Sequence, residues 1–191
     1  MTKRVLILGG VAVAAVALAW VLVVALPRRA AQSNAPTTAA VSTPAPAASS
    51  GRKIKARLFY VAQDGIHLTH VERDVAYGEG TLEQAREIVA AQLAPVSEPL
   101  LSAIPAGTNV RAVFLTEGGE VYVDVSREIA SGHTGGTADE LLTVYTIVNA
   151  LTENLPAVTA VQLLVDGKEV DTLAGHVDLR NPLGKNAALV Q

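Results

Sequence analysis

The chain of 191 residues contains no cysteine, one methionine, one tryptophan and two phenylalanines. Without cysteine it can form no disulfide, thiolate nucleophile or thiolate zinc site, and it has no lipobox cysteine to carry a lipid. Aromatic residues amount to 4% and charged residues to 17%. Basic charge is scarcest where a nucleic-acid surface would need it. Lys3, Arg4, Arg28 and Arg29 all flank one apolar run, so residues 52–191 keep 11 basic against all 18 acidic residues, a net charge near −7. Affinity for phosphate backbones comes from Lys and Arg, so nucleic acid is excluded as an expected partner.

What is present is an uneven distribution of apolar residues. Half the chain is hydrophobic, but the surplus is local. Residues 5–26 hold 20 hydrophobic residues, two glycines and no charge; residues 27–51 hold 9 in 25, and residues 52–191 hold 65 in 140. The last share is ordinary for a globular domain and large enough for one core. A 22-residue apolar run spans about 33 Å as a helix, matching a hydrocarbon core of about 30 Å. A cleavable signal peptide is the competing reading, with Val23-Val24-Ala25 as its processing site. The run is longer than such h-regions and abuts Pro27-Arg28-Arg29, which favours an uncleaved signal anchor. Basic charge before the run keeps the stub 1–4 inside and sends the rest outward, giving a single-pass inner-membrane protein with an extracytoplasmic C-terminal domain.

Residues 30–51 are free of charge and aromatics, with prolines at 36, 44 and 46. Such a stretch cannot bury a core and reads as an extended tether reaching on the order of 50 Å.

The domain alternates strand and helix signals. Ile54 to Ala62 and Ile66 to Val71 read as a hairpin around Gln63-Asp64-Gly65, with an apolar phase slip between Leu68 and Val71 that predicts a bulge near Thr69 and His70. Thr81-Leu82-Glu83-Gln84 reads as a capping box, followed by Leu82, Ala85, Val89 and Leu93 at helical spacing up to Pro95. Val110 to Thr116 and Glu120 to Val125 form a second hairpin around Gly118-Gly119. Thr137-Ala138-Asp139-Glu140 offers a second capping box for a helix with the stripe Leu141, Val144, Tyr145, Val148, Leu151 and Leu155, stopped by Pro156. Val158 to Val165, Asp166-Gly167 and Lys168 to Leu173 read as a third hairpin. The expectation is an α+β fold with two helices packed on a roughly six-stranded sheet built largely from hairpins. A domain over 52–183 would then end in a frayed tail, 184–191.

Ser102-Ala103-Ile104-Pro105-Ala106-Gly107-Thr108, Val123-Asp124-Val125-Ser126-Arg127-Glu128, Val148-Asn149-Ala150-Leu151-Thr152-Glu153 and Val165-Asp166-Gly167-Lys168 occur in an order that resembles the GerMN domain family of sporulation and spore-germination proteins. The resemblance covers roughly residues 54–183. It implies a membrane-anchored extracytoplasmic module with a ring-building-motif-like topology and neither catalytic residues nor cofactor. It also implies structural roles: Pro105 and Gly107 set a turn into a strand, Ser126 ends a strand and caps the next turn, and Asn149 bonds backbone from the inner side of its helix. GerM-type proteins carry two such domains, whereas this chain has length for one.

No constellation specifies a reaction. His67 and His70 would share a face only on a helix, and on the predicted strand they project to opposite sides, so no metal site is assigned. Gly132-His133-Thr134-Gly135-Gly136-Thr137 could offer backbone N–H groups to an anion but lacks the Lys and the spacing of a phosphate loop, and reads as a connection with a helix cap. Tyr77-Gly78-Glu79-Gly80 reads likewise as a loop. Gly175-His176-Val177-Asp178 places His and Asp two apart with no nucleophile elbow. Asp139-Glu140 is accounted for by the helix macrodipole. Catalytic, cofactor-binding and metal residues are accordingly assigned to none. The reading is a non-enzymatic module for protein interaction or assembly in the cell envelope, with a homo-oligomer left open. The alternatives are a wall-polysaccharide or small-ligand binder, with Tyr77 and Tyr122 as the few aromatic candidates, and an unrecognised hydrolase.

Overall fold

The computed structural model describes residues 51–191. The expected anchor over 5–26 and the linker up to residue 50 lie outside the described residues; among those described, no helix is long and apolar enough to cross a membrane.

The first hairpin joins β1 (Lys53–Val61) to β2 (Leu68–Ala76) in antiparallel register from Lys53↔Ala76 to Val61↔Leu68. The expected bulge at Thr69 and His70 does not form, since the register runs through both residues without a slip. The phase change has another cause. Ala56, Leu58 and Tyr60 bury one face of β1, while Phe59 and Leu68 lie on the other face and are also buried. That second face lines a hollow with Asn149, Ala187 and Val190, and the C-terminal tail pairs with the edge of β2 at its turn end, where Val190 bridges Leu68 and the Gln191 N–H donates to the Leu68 carbonyl at 3.0 Å. The tail expected to fray is therefore docked, with a 3₁₀ turn over Ala187–Leu189.

Helix α1 (Gly80–Leu93) follows. Its expected capping box is not made; the helix starts two residues earlier, with Glu79 in the N-cap position and no side-chain cap bond. Gln84 instead folds back, accepting from the Gly78 N–H and donating to the Ala76 carbonyl, both at 3.0 Å. The buried face is Gln84, Ala85, Ile88, Val89 and Gln92. It is rotated from the expected stripe because two glutamines point inward to bond backbone.

The second sheet has the order β3-β4-β5-β6, with β3 at Val110–Leu115, β4 at Glu120–Val125, β5 at Ala160–Val165 and β6 at Lys168–Glu169. β3 and β4 are the predicted hairpin, and β5 is parallel to β4. A parallel neighbour requires a crossover. It is supplied by the short helix α2 (Glu128–Ser131), too brief for periodicity to reveal, and by α3 (Thr137–Asn154). β6 is only two residues long, not the six expected. It is joined to β5 through Asp166 and Gly167, both at positive φ, 49° and 77°, as a two-residue hairpin turn requires.

The domain is α+β, but its six strands form sheets of two and four instead of one sheet. The reason lies at the outer edge of β1. The Asn154 side chain accepts from the Arg57 N–H and donates to the Arg57 carbonyl, both at 2.8 Å, and Gln92 does the same to Phe59 at 2.8 Å each. Two side-chain amides thus replace the strand that would have continued the sheet, and they satisfy backbone groups that could not be buried unpaired.

Helix α3 packs against β1, β5 and α1. It is buried nearly all round: Leu142, Val144, Ile147, Val148, Ala150 and Leu151 are at most 2% exposed, and so are Glu140, Thr143, Thr146 and Asn149. Leu141 and Tyr145 of the expected stripe are only half-buried. A helix enclosed in this way is the spine of the core rather than one side of it.

Candidate functional site

A cleft of about 450 Å³ lies where three segments meet: the turn end of β1, the strip 101–105, and the passage from α2 into α3. The strip is extended because it continues the sheet locally. Leu101 bridges Val61 in antiparallel fashion, with the Val61 N–H donating to the Leu101 carbonyl at 2.8 Å. It then turns, as the Ser102 hydroxyl oxygen accepts the Ile104 N–H at 3.1 Å. The Thr108 N–H and hydroxyl both donate to the Pro105 carbonyl, at 3.3 and 2.8 Å, and Gly107 takes φ +85°. Pro105 and Gly107 therefore form the turn that the family resemblance implied.

The other wall is fixed by His133 and Thr143. The Gly135 N–H donates to His133 Nδ1 at 2.9 Å, which leaves the proton of the neutral ring on Nε2, 3.2 Å from Thr143 Oγ1. The Thr143 hydroxyl hydrogen is directed to the carbonyl of Ala103 (2.7 Å) or Asp139 (2.9 Å). His133 thus donates to Thr143. A base that activates a hydroxyl must accept from it, so this pair holds the wall and does not prime a nucleophile. Ring and hydroxyl together clamp the loop 132–136, read from sequence as a connection with a helix cap, to α3 and to the strip. The one hint in the sequence was Thr143 itself, a polar residue within an apolar helix face.

The expected pair Asp139-Glu140 is divided by the structure. Asp139 is exposed at the cleft, accepting the Thr134 hydroxyl at 3.2 Å. Glu140 is completely buried. Its Oε1 accepts the N–H groups of Leu173 (2.7 Å) and Ala174 (2.9 Å), and its Oε2 accepts that of His176 (2.8 Å). Burial, the largest single influence, pushes the Glu140 carboxyl up, but the N–H groups of Ala174, His176, Leu173 and Val177 outweigh it and hold the carboxyl below its ordinary range. The macrodipole is therefore only part of the account, because this side chain anchors the loop 172–177. No capping box forms at this helix either; Gly136 occupies the N-cap position without a side-chain bond.

The remaining motif residues tie the domain together. Asp124, in β4, is buried. It accepts the Gly167 N–H at 2.7 Å and Arg111 Nε at 3.1 Å, which joins two of the family-like segments directly. Asn149 does bond backbone: it donates to the Asn186 carbonyl at 3.0 Å and accepts the Asn186 N–H at 2.9 Å, pinning the tail. Ser126 ends β4, but its hydroxyl oxygen accepts the Asn109 N–H at 3.0 Å, and α2 has no side-chain cap.

The histidines are dispersed. His67 precedes β2 and its ring lies 2.5 Å from Asp64, whose carboxyl is held down to about 2 by that ring and then by the N–H groups of Ile66 and His67. His70, in β2, lies exposed beside Phe59, with ring centroids 6.1 Å apart. His176 lies 3.2 Å from Glu140, while Asp178 pairs with Arg180. Among the described residues, no three His, Cys, Asp or Glu side chains gather where a metal ion could be held. Neither Tyr77 nor Tyr122 reaches the cleft; Tyr77 is covered by the Arg52 guanidinium, 3.7 Å from its ring centre.

No curated protein matches the chain. Among solved structures, a Clostridium perfringens protein described as a lipoprotein is similar over 70% of this chain and 88% of its own, at 20% identity and a TM-score of 0.50. The tandem GerMN domains of the sporulation protein GerM from Bacillus subtilis are similar over 70% of this chain at 20% identity and a TM-score of 0.55. This chain spans 46% of that tandem, so the likeness is one of fold and covers about one of its two domains. The family model Germane, described as sporulation and spore germination, matches residues 57–171. That match takes in most of the first hairpin, the three described α-helices and β3 to β6, which is more than half of the sequence, and on it the chain belongs to the Germane family.

Proposed function

We propose that the chain is a non-enzymatic, membrane-anchored extracytoplasmic module that mediates protein interaction or assembly in the bacterial cell envelope, in a sporulation, germination or wall-related process. The observation that carries this reading is the state of the cleft's polar groups. His133, Thr143, Ser102 and Asp139 are each engaged in bonds that shape its wall, while large apolar side chains stand exposed at its rim. That combination suits a surface that receives a partner. The cleft contains no Phe, Tyr or Trp on which a sugar ring could stack, which favours a protein partner over a wall polysaccharide. An anchor over 5–26 fits an envelope location, as do a lipoprotein and a sporulation protein among proteins of like fold.

Two measurements test this together. Alkaline phosphatase fused after Gln191 is active in cells only if the domain is exported. A photo-crosslinking residue at Leu101 forms a discrete adduct with a second polypeptide in living cells, whereas one at Glu117, in the exposed β3–β4 turn beside the residues that follow the C-terminus of α3, does not. An inactive fusion would sink the localisation, and a Leu101 position without any adduct would sink the interaction role.

A further inference from the structure

The cleft carries enough chemistry to assign the class of segment it receives. We propose that it takes a short extended peptide, with an apolar side chain entering between Ile104 and Leu142 and a basic side chain beside Asp139. This assignment rests on reading the domain as an interaction module.

Three independent features converge on it. The first is the apolar rim. Among the described residues three large hydrophobic side chains stand exposed, and two of them, Leu101 at 63% and Ile66 at 58%, belong to this end of the domain. Leu101 lines the cleft, and Ile66 follows Gly65, which also lines it. The second is charge. Asp139 is the one Asp, Glu, Lys or Arg among the lining residues, so the cleft has a fixed negative charge and no Lys or Arg to meet an anion. The third is an open backbone edge. The strip 101–105 is bonded to β1 through Leu101, and among the described residues no hydrogen bond engages the Ser102 N–H or carbonyl. A segment that pairs with β1 at Leu101 and leaves the Ser102 N–H and carbonyl open, beside a cleft of about 450 Å³, offers the start of what strand addition uses: backbone bonds give affinity and a pocket takes an alternate side chain.

The position fits a partner arriving from outside. The preceding chain enters the domain at Lys53, whereas the cleft lies at the Val61 end of the same nine-residue strand, a separation of about 27 Å at about 3.3 Å per residue. The receiving end therefore lies at the opposite end of β1 from Lys53.

The test uses the full-length chain in detergent and two dye-labelled probes, the acetylated and amidated tetrapeptides Ala-Leu-Lys-Ala and Ala-Leu-Glu-Ala, with binding followed by fluorescence anisotropy. Saturable binding of the lysine peptide, about fivefold tighter than the glutamate peptide as one partly exposed ion pair allows, is the expected result. Asp139→Asn, on an exposed side chain, should bring the two peptides to equal affinity, and Leu101→Glu should weaken both. Circular dichroism checks that each variant is folded. Failure of both peptides to bind overturns the assignment, as does a preference that survives Asp139→Asn. Binding of tri-N-acetylglucosamine where the peptides fail replaces it with a glycan site. Loss of peptide binding while the Leu101 adduct persists in cells overturns the ligand class and leaves the interaction reading standing.

Discussion

Replacing Glu140 by glutamine changes one atom and leaves shape almost untouched, so its cost isolates the work of a buried carboxylate. In the native domain two oxygens receive three backbone N–H groups from the loop 172–177, at 2.7 to 2.9 Å, with the side chain wholly out of contact with water. Glutamine offers only one oxygen. If that oxygen stays with Leu173 and Ala174, the amide NH₂ faces the His176 N–H, donor against donor. One charge-assisted bond is lost, a buried donor is left unsatisfied and the two remaining bonds lose their charge. Together these are worth about 2–4 kcal/mol, or a fall in melting temperature of roughly 10 °C for a domain of this size.

The assay is thermal and urea unfolding of both proteins from neutral to acid pH, with amide exchange of Leu173, Ala174 and His176 followed in parallel. Because the folded carboxyl is held below its ordinary value of 4.5, its contribution is fully present above the unfolded pKa and is lost as pH falls through the folded one. The gap between wild type and Glu140→Gln should be widest near neutrality and should narrow as pH falls below 4.5. A variant within about 0.5 kcal/mol of wild type at neutral pH, or a gap that does not change with pH, would refute the reasoning.

Leu151→Asp places an unpaired charge at a position with no exposure and should abolish cooperative folding; a soluble protein with a sharp unfolding transition would show that α3 is not the spine of the core. Asn149→Ala removes both bonds to Asn186 and should cost about 1–3 kcal/mol while exposing residues 184–191 to carboxypeptidase, an effect absent if the tail is held by packing alone. The His133 ring should carry its proton on Nε2, which long-range ¹H–¹⁵N spectra read directly, and a proton on Nδ1 would contradict the wall geometry. His67→Ala and His70→Ala should leave folding and zinc content unchanged, and zinc that disappears with either ring would establish a site there.

Much of the local structure was legible because it is governed by neighbours in sequence. Alternation in 54–62, the Asp166-Gly167 pair and the apolar spacing through 141–155 each predict an element that the structure contains. Errors arose where side chains bonded distant backbone. Periodicity treats Gln84 and Gln92 as polar and therefore outward, yet both are buried because each has a backbone N–H and a backbone carbonyl to bond. The same blind spot made Glu140 look like a helix-terminal charge and made 184–191 look loose. The cleft was the least legible feature, since His133 and Thr143 gain meaning only beside Ala103, 40 residues before Thr143 in the chain.

Legible from sequence alone were an apolar run long enough to span a bilayer, an acidic cysteine-free domain, its hairpins and two longer helices, and the segments that resemble the GerMN family. These follow from composition and from contacts within a turn or a strand pair. Tertiary structure alone decided that the strands divide into two sheets, that the tail is fastened and that a cleft opens with Asp139 at its edge. Each of those outcomes depends on side chains that meet backbone groups far away, as Asn154 meets Arg57 across 97 residues. A buried amide or carboxylate is stable only where such a partner exists, and where it exists is a property of the fold.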